Sequence, residues 1–402
     1  MKILVVCQYF YPEEFKVNDL VEGLVARGHH VTVLTGKPNY PHGEFYPGYS
    51  FGGVIHEQFK GANVIRVPLI RRGNSGTIRL LLNYLSFALF GNLYVLFHNC
   101  DYDSVMVYQL SPITMAYPAI LAKRKCGASM ALYVQDLWPE SVSATSAIKG
   151  GIIMRALNGI VKRIYKKANT ILVQSKAFEK SICSKGDFKD KIVYAPNWAE
   201  DVFVDKSLIN KERYKAIMPC GFKVMFAGNI GEAQDFENIL NAANLTKNDE
   251  SIKWIIIGDG RARAKAEDRV KKEGLDKTVF FWGRYPISEM PSFFCHADAM
   301  LVSLKREYIF SLTIPTKIQA YMAAGKPILT MVDGEGGRVV NDAECGMTAP
   351  AEDYHSLSNN IIKMRMLSEQ ARIEMGQKGQ SYYNQHFAKE SVINLIERSF
   401  VE

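Results

Sequence analysis

Ser311-Leu312-Thr313-Ile314-Pro315-Thr316-Lys317-Ile318-Gln319-Ala320-Tyr321-Met322-Ala323-Ala324-Gly325-Lys326-Pro327 is the stretch whose reading decides the fold. A polar turn opens a helix, small residues carry it to Gly325, and Pro327 leads into an apolar strand over residues 328–331. A helix start offers unpaired N–H groups and a partial positive charge, which suit a phosphate. Lys317 adds a full positive charge one turn in.

The same alternation runs outward in both directions. Residues 2–8 read as a strand, 18–27 as an amphipathic helix stopped by Gly28, and 31–35 as the next strand. Strands are then expected at 104–108, 131–134, 170–173 and 192–195, with helices between them. Residues 197–221 are polar and break the rhythm, which restarts with strands at 223–226, 254–257, 279–281, 299–302 and 328–331. Such alternation means parallel sheets covered on both faces. The expected architecture is α/β: two tandem Rossmann-like parallel-sheet domains, 1–200 and 201–380, facing a cleft, with a C-terminal helix over 381–402 packing back on the first. Ligands then belong at the carboxyl ends of the strands.

The chain has 402 residues, enough for two cores. Seven cysteines without Cys-x-x-Cys spacing point to reduced thiols rather than a disulfide framework or a zinc site. Met1-Lys2 runs directly into an apolar strand, so no signal peptide is expected. Residues 1–200 carry 23 Lys+Arg against 14 Asp+Glu, so the net charge of +8 resides in the first half. That charge suits the cytoplasmic face of a membrane, since no nucleic-acid-binding signature accompanies it. Residues 80–97 are strongly apolar but are interrupted by Asn83, Ser86, Gly91 and Asn92. A buried helix pair is the first reading and an interfacial helix the second, with a true span behind both.

Three glycine turns follow strands of the second half: Gly228-Asn229-Ile230-Gly231-Glu232-Ala233-Gln234, Gly258-Asp259-Gly260 and Gly283-Arg284-Tyr285-Pro286. Glycine lets backbone approach a ligand closely. In the first half Phe10-Tyr11-Pro12-Glu13-Glu14-Phe15 follows strand one, and Gln135-Asp136-Leu137-Trp138-Pro139-Glu140 follows the strand at 131–134. An Asp at a strand's carboxyl end suits acid–base or electrostatic work, although a helix-cap role remains open for it. The loop 36–49, rich in Pro, Tyr and Phe, suits stacking on a sugar or an entrance for a lipid acceptor. Asp101-Tyr102-Asp103 precedes its strand and supplies too few ligands for a metal.

These motifs together resemble glycosyltransferase family 4. The "DLWPES" wording, Lys37-Pro38-Asn39-Tyr40-Pro41-His42-Gly43 and Ala195-Pro196-Asn197-Trp198 are similar to a subfamily of bacterial surface-polysaccharide transferases that includes fucosamine transferases of O-antigen loci. The resemblance implies the GT-B fold and a UDP-sugar donor such as an amino or deoxy sugar. It also implies a lipid-linked saccharide acceptor, O-antigen or capsule synthesis, and retention of configuration without a metal or other cofactor. A peripheral place on the inner face of the cytoplasmic membrane follows, with no nucleic-acid partner.

The resemblance places the donor on Gly228, Asn229, Gln234, Gly258, Asp259, Arg284, Leu312, Pro315, Thr316 and Lys317. It gives the loop of Glu13, Glu14 and Phe15 a location near the phosphates. The family's two phosphate cations fall on Asn229 and Gln234 here, and its two glutamates on Leu312 and Ala320. Lys317 is left as the principal source of charge, with Arg261, Arg263 and Arg284 behind it and Glu307 or Glu335 as substitutes for the glutamates. Lys317 and Asp136 are the catalytic candidates. A UDP-sugar 2-epimerase on the same fold and a non-catalytic nucleotide-sugar-binding partner remain open as alternatives.

Overall fold

Ile3, Val5 and Val6 of the first strand have no exposed surface, and Val105, Met106 and Val107 of its neighbour have none either. Continuous apolar runs of this kind are what a parallel strand covered on both faces requires. A computed structural model describes residues 1–73, 76–145 and 151–400. The chain divides into two units, residues 1–196 with 390–402, and 197–389. The last two residues of the expected helix at 381–402 lie outside the described residues.

Unit 1 contains β1 (Lys2–Val6), α1 (Lys16–Ala26), β2 (His30–Gly36), β3 (Ile55–Phe59), β4 (Ala62–Val67), α2 (Thr77–Phe97) and β5 (Ser104–Gln109). It continues with α3 (Ala116–Cys126), β6 (Ser129–Val134), α4 (Glu140–Thr145), α5 (Gly151–Lys167), β7 (Thr170–Val173), α6 (Phe178–Cys183) and β8 (Ile192–Tyr194). The sheet order is β3-β4-β2-β1-β5-β6-β7-β8, so strand order reverses between β1 and β5. β3 runs antiparallel to β4, an edge hairpin that the alternation did not indicate. Its turn places Lys60 and Gly61 at positive φ.

Unit 2 opens with α7 (Asp201–Val204), then β9 (Phe222–Ala227), α8 (Phe236–Thr246), β10 (Ile252–Ile257), α9 (Arg263–Lys272), β11 (Val279–Gly283) and α10 (Met290–Phe294). It continues with β12 (Ala299–Ser303), α11 (Tyr308–Ser311), α12 (Thr316–Ala323), β13 (Ile328–Met331), α13 (Glu335–Asp342), β14 (Gly346–Ala349), α14 (Tyr354–Met366) and α15 (Glu369–His386). Its all-parallel sheet has the order β11-β10-β9-β12-β13-β14, reversing between β9 and β12. Side chains alternate between two cores with the period of a strand. Met225, Ile255 and Met300 join α12 on one face, while Val224, Phe226, Trp254 and Leu301 join α8 and α14 on the other. The last helix, α16 (Lys389–Arg398), packs on α1, where Arg27 pairs with Glu390 and His29 Nε2 lies 2.8 Å from Glu397.

The apolar run 80–97 is one helix, α2, and not a buried pair. Its buried side carries Asn83, Ser86, Phe87, Ala88, Gly91 and Val95. Asn83 accepts from Gln8 at 2.7 Å and donates to the Ile70 carbonyl at 2.6 Å, and Ser86 Oγ accepts from the Ile70 amide at 3.0 Å. Lys125 Nζ closes the far end, donating to the carbonyls of Val95, Leu96 and His98. The opposite side is a stripe of exposed Ile78, Leu81, Leu82, Leu85, Leu89, Leu93 and Leu96. The small and polar residues therefore face the protein and the leucines face outward, because Asn83 and Ser86 satisfy backbone groups of the adjoining loop.

Candidate functional site

In unit 2 the strand-order reversal lies between β9 and β12, where parallel sheets receive ligands. Two elements from the opening stretch meet there. Tyr321 on α12 accepts from the Ala227 amide at 3.2 Å and donates to the Ala227 carbonyl at 3.3 Å, which ties α12 to the end of β9. Lys317, the second residue of α12, then lies with Nζ 3.5 Å from the centroid of the Phe226 ring. Gly228 lies directly against it: a Cβ there would stand 2.7 Å from Lys317 Cε, and φ is +134°. Only glycine leaves room for this arrangement.

The lysine stem is partly exposed, but Nζ itself is sequestered and has no hydrogen-bond partner among the described residues. Burial alone lowers its pKa to about 7 from 10.5. Such an amine is either neutral or awaits an anion, since a buried charge without a partner is costly. Above pH 7 the unfolded chain holds the proton that the folded chain releases. Stability of the unliganded protein therefore rises with pH between about 7 and 10.5.

The other donor-side candidates frame this lysine. Pro315 and the exposed Thr316 open α12, and no side chain caps it. Asn229 and Gln234 face each other, with Asn229 Nδ2 donating to Gln234 Oε1 at 3.5 Å and the Gly231 amide donating to the same oxygen at 3.1 Å. They close their own loop. The Asp259 carbonyl accepts from Ile230 at 2.8 Å, and its side chain accepts from Gly260 at 2.8 Å. Gly258 is required because a Cβ would lie 1.8 Å from the Gly228 carbonyl oxygen.

Of the subsidiary cations, Arg263 is engaged by Glu267 at 2.8 Å, while Arg261 and Arg284 are exposed. Leu312 and Ala320 are buried. Glu307 is exposed, and Glu335 is buried with both oxygens on Arg338, at 2.9 and 2.8 Å. A groove of about 220 Å³ lined by Glu232, Lys265 and Arg269 lies between α8 and α9, and Lys317 is not part of its lining. The chemistry of the switch point favours the lysine as the site.

In unit 1 the loop after β1 corrects one expectation. Glu13 is not offered to a ligand. It is 2% exposed, and its oxygens accept the amides of Asn39 at 2.8 Å, Tyr40 at 2.7 Å and Phe10 at 3.1 Å. It clamps loop 36–49 to the β1 loop, and burial pushes its carboxyl up to about 7 against the pull of those amides. Glu14 beside it is exposed, and Phe15 stacks on Tyr9.

Asp136 follows β6, and one carboxylate oxygen accepts from Ser111 Oγ. Ser111 Oγ in turn accepts from Trp138 Nε1 at 2.8 Å. Burial raises the Asp136 pKa and the Ser111 bond opposes it. Ser111 and Trp138 orient this carboxylate, a role the sequence did not signal for Ser111. Asp101 and Asp103 lie at the amino end of β5, bonded to Lys2.

Residues 14–198 match the family described as "Glycosyl transferase 4-like domain", and residues 221–365 match "Glycosyl transferases group 1". WcaI of Escherichia coli (strain K12), named for colanic acid biosynthesis glycosyl transfer, is 26% identical over 340 residues, 81% of this chain and 82% of its own. WbjE of Pseudomonas aeruginosa, named as a glycosyltransferase, is 30% identical over 262 residues. The match covers 62% of each chain, so it spans less than two thirds of WbjE. Among solved structures, sucrose-phosphate synthase of Thermosynechococcus elongatus superposes with a TM-score of 0.73 at 16% identity, over 99% of this chain and 97% of its own. HepE of Anabaena, solved with UDP and glucose, gives 0.68 at 14% identity over the whole of both chains. WaaG, a glycosyltransferase involved in lipopolysaccharide biosynthesis, gives 0.68 at 15% identity over 100% of this chain and 99% of its own. Likeness at these identities is one of fold.

Proposed function

The chain being a glycosyltransferase enzyme on the GT-B fold, we propose that it moves a sugar from a UDP-sugar to a lipid-linked saccharide during bacterial surface-polysaccharide synthesis. The observation that carries this reading is the sequestered Lys317 amine, without a hydrogen-bond partner among the described residues, against Gly228 at the switch point of unit 2. A diphosphate laid across Gly228 and the start of α12 draws this amine into its charged form. As the bond to the sugar breaks, negative charge grows on the leaving UDP. Lys317 and the helix-start N–H groups stabilise it, which is electrostatic catalysis. Transfer proceeds with retention and needs no metal or other cofactor. Leu312, where the resemblance implies a carboxylate, suits an apolar sugar edge such as the methyl of a 6-deoxy amino sugar like N-acetyl-fucosamine. Asp136 in unit 1 serves the acceptor.

The enzyme works on the cytoplasmic side, as a peripheral protein on the inner face of the membrane. The outward leucine stripe of α2 supports this placement. Its 21 residues are long and apolar enough to cross a bilayer. Hydrogen bonds of Asn83 and Ser86 hold its other side to the protein, so it lies in the interface instead. Burying one such leucine fully is worth ~1.5–3 kcal/mol. The double variant Leu81→Glu, Leu89→Glu is expected to lower co-sedimentation with anionic vesicles by about tenfold or more at unchanged thermal stability. Undiminished sedimentation removes α2 from the membrane contact.

The reaction itself is tested by incubating the purified protein with UDP-sugars and a membrane lipid extract. UDP release that requires both is expected. Isomerised UDP-sugar without lipid, or no consumption of any nucleotide sugar, overturns the reading.

A further inference from the structure

We propose that Arg72, held against Tyr9 and Tyr40 in unit 1, binds the phosphate ester of a lipid-carried acceptor. This rests on the transferase reading above and names the group by which the acceptor is recognised. Arg72 follows β4, and its backbone amide donates to Asn39 Oδ1 at 3.0 Å. Asn39 is fully buried and is itself fixed by Glu13 and by the Lys37 carbonyl. The guanidinium lies 5.2 Å from the Tyr40 ring centroid and 5.9 Å from that of Tyr9, and Nη1 donates to Tyr9 Oη at 3.2 Å.

Neighbouring arginines are spoken for. Arg66 is bound by Glu57 at 2.6 Å, and Arg71 by Glu44. Among the described residues no carboxylate forms an ion pair with Arg72. A guanidinium has five N–H donors in a planar fork that matches a phosphate. Here the fork is oriented by aromatic faces and one hydroxyl, which leaves donors for a bidentate anion contact.

Two features make the anion an acceptor's. The Tyr84 hydroxyl lies within the electrostatic reach of both Arg72 and Asp136, and its ring lies 6.5 Å from that of Trp138, which holds Ser111 and through it Asp136. Arg72 and Asp136 thus belong to one connected cluster around the switch point of β1 and β5. An ester phosphate at Arg72 leaves the attached sugar to extend toward Asp136. The leucine stripe of α2 begins a few residues after Arg72, on the same unit, and suits the lipid part.

The test uses the full-length protein saturated with UDP, so that the donor site is filled. The probes are farnesyl diphosphate in detergent and inorganic pyrophosphate, titrated by calorimetry. Farnesyl diphosphate is expected to bind more tightly than pyrophosphate, which separates a lipid ester from free phosphate. Arg72→Met should weaken both by about 10- to 100-fold, with UDP affinity and thermal midpoint unchanged. Tyr9→Phe, which removes only the hydroxyl anchor, should give a smaller loss in the same direction, and it reads the site if Arg72→Met fails to fold. Unchanged farnesyl diphosphate affinity in a folded Arg72→Met, or in Tyr9→Phe when that variant is the readout, overturns the proposal. So does a loss of UDP affinity matching the loss of farnesyl diphosphate. If no UDP-sugar is turned over yet farnesyl diphosphate binds through Arg72, the transferase reading fails and this site stands.

Discussion

Lys317→Met is expected to weaken UDP binding by about 30- to 1000-fold, or ~2–4 kcal/mol, while raising the stability of the unliganded protein. Both effects come from one geometry. The Nζ is out of contact with solvent and has no hydrogen-bond partner among the described residues, so folding without ligand must either bury a charge or release a proton. Its pKa of about 7 records that conflict. The face of Phe226 at 3.5 Å relieves part of it, as a ring quadrupole attracts a cation. Methionine has similar length, brings no charge and also packs well on an aromatic ring. The variant should therefore melt higher, by roughly 1–3 kcal/mol of added stability. A diphosphate bound as proposed then loses this sequestered cation, and Asn229 and Gln234, bonded to each other, do not replace it. A lysine whose role was only structural would show the opposite pair: lower stability and unchanged affinity. Calorimetric titration with UDP and a thermal melt of the same preparation separate the two.

Asp136→Asn is expected to cut turnover by about 10²- to 10⁴-fold without changing UDP affinity. Asparagine keeps the shape and can still accept the Ser111 hydrogen bond, but it carries no negative charge. UDP affinity is spared because the donor groups proposed above belong to unit 2, whereas Asp136 belongs to unit 1. A second signature comes from pH. Burial raises the Asp136 pKa, so its ionised form is lost at higher pH than for an ordinary aspartate. If the carboxylate is the working form, the wild-type rate falls early on the acid side. In Asp136→Asn that limb disappears from what rate remains. An unaltered rate at all pH values would reduce Asp136 to a turn residue.

Much of the fold was legible because parallel strands covered on both faces read as unbroken apolar runs, as in residues 3–6 and 254–257. The edge hairpin of β3 and β4 was not, since β3 has only one fully buried residue and Arg66 interrupts the apolar run of β4. The sidedness of α2 was hidden for a different reason. Its leucines share one side, but which side meets the protein is decided by the contacts of Asn83 and Ser86 with Ile70 in the preceding loop. Glu13 could be read only as part of a loop after strand one; that its carboxylate is occupied follows from the amides of Asn39 and Tyr40, which come from elsewhere in the chain. Lys317 was legible as a cation at a helix start. That its Nζ has no hydrogen-bond partner among the described residues depends on how Tyr321 docks α12 onto the end of β9. Arg71 and Arg72 stand side by side in the sequence; that Arg71 pairs with Glu44 while no carboxylate among the described residues pairs with Arg72 is a property of the folded chain alone.

The most direct measurement is the titration of the Lys317 amine itself, followed by NMR with isotope-labelled lysine and assigned with Lys317→Met. Alone, the amine is expected to titrate near pH 7. With saturating UDP, the diphosphate favours the charged form, so the pKa should climb back toward its ordinary value of about 10.4. By linkage, UDP binding then takes up a proton above pH 7, and its affinity falls as pH rises through that range. A Lys317 pKa that stays the same with and without UDP would contradict the assignment of this lysine to the donor's diphosphate.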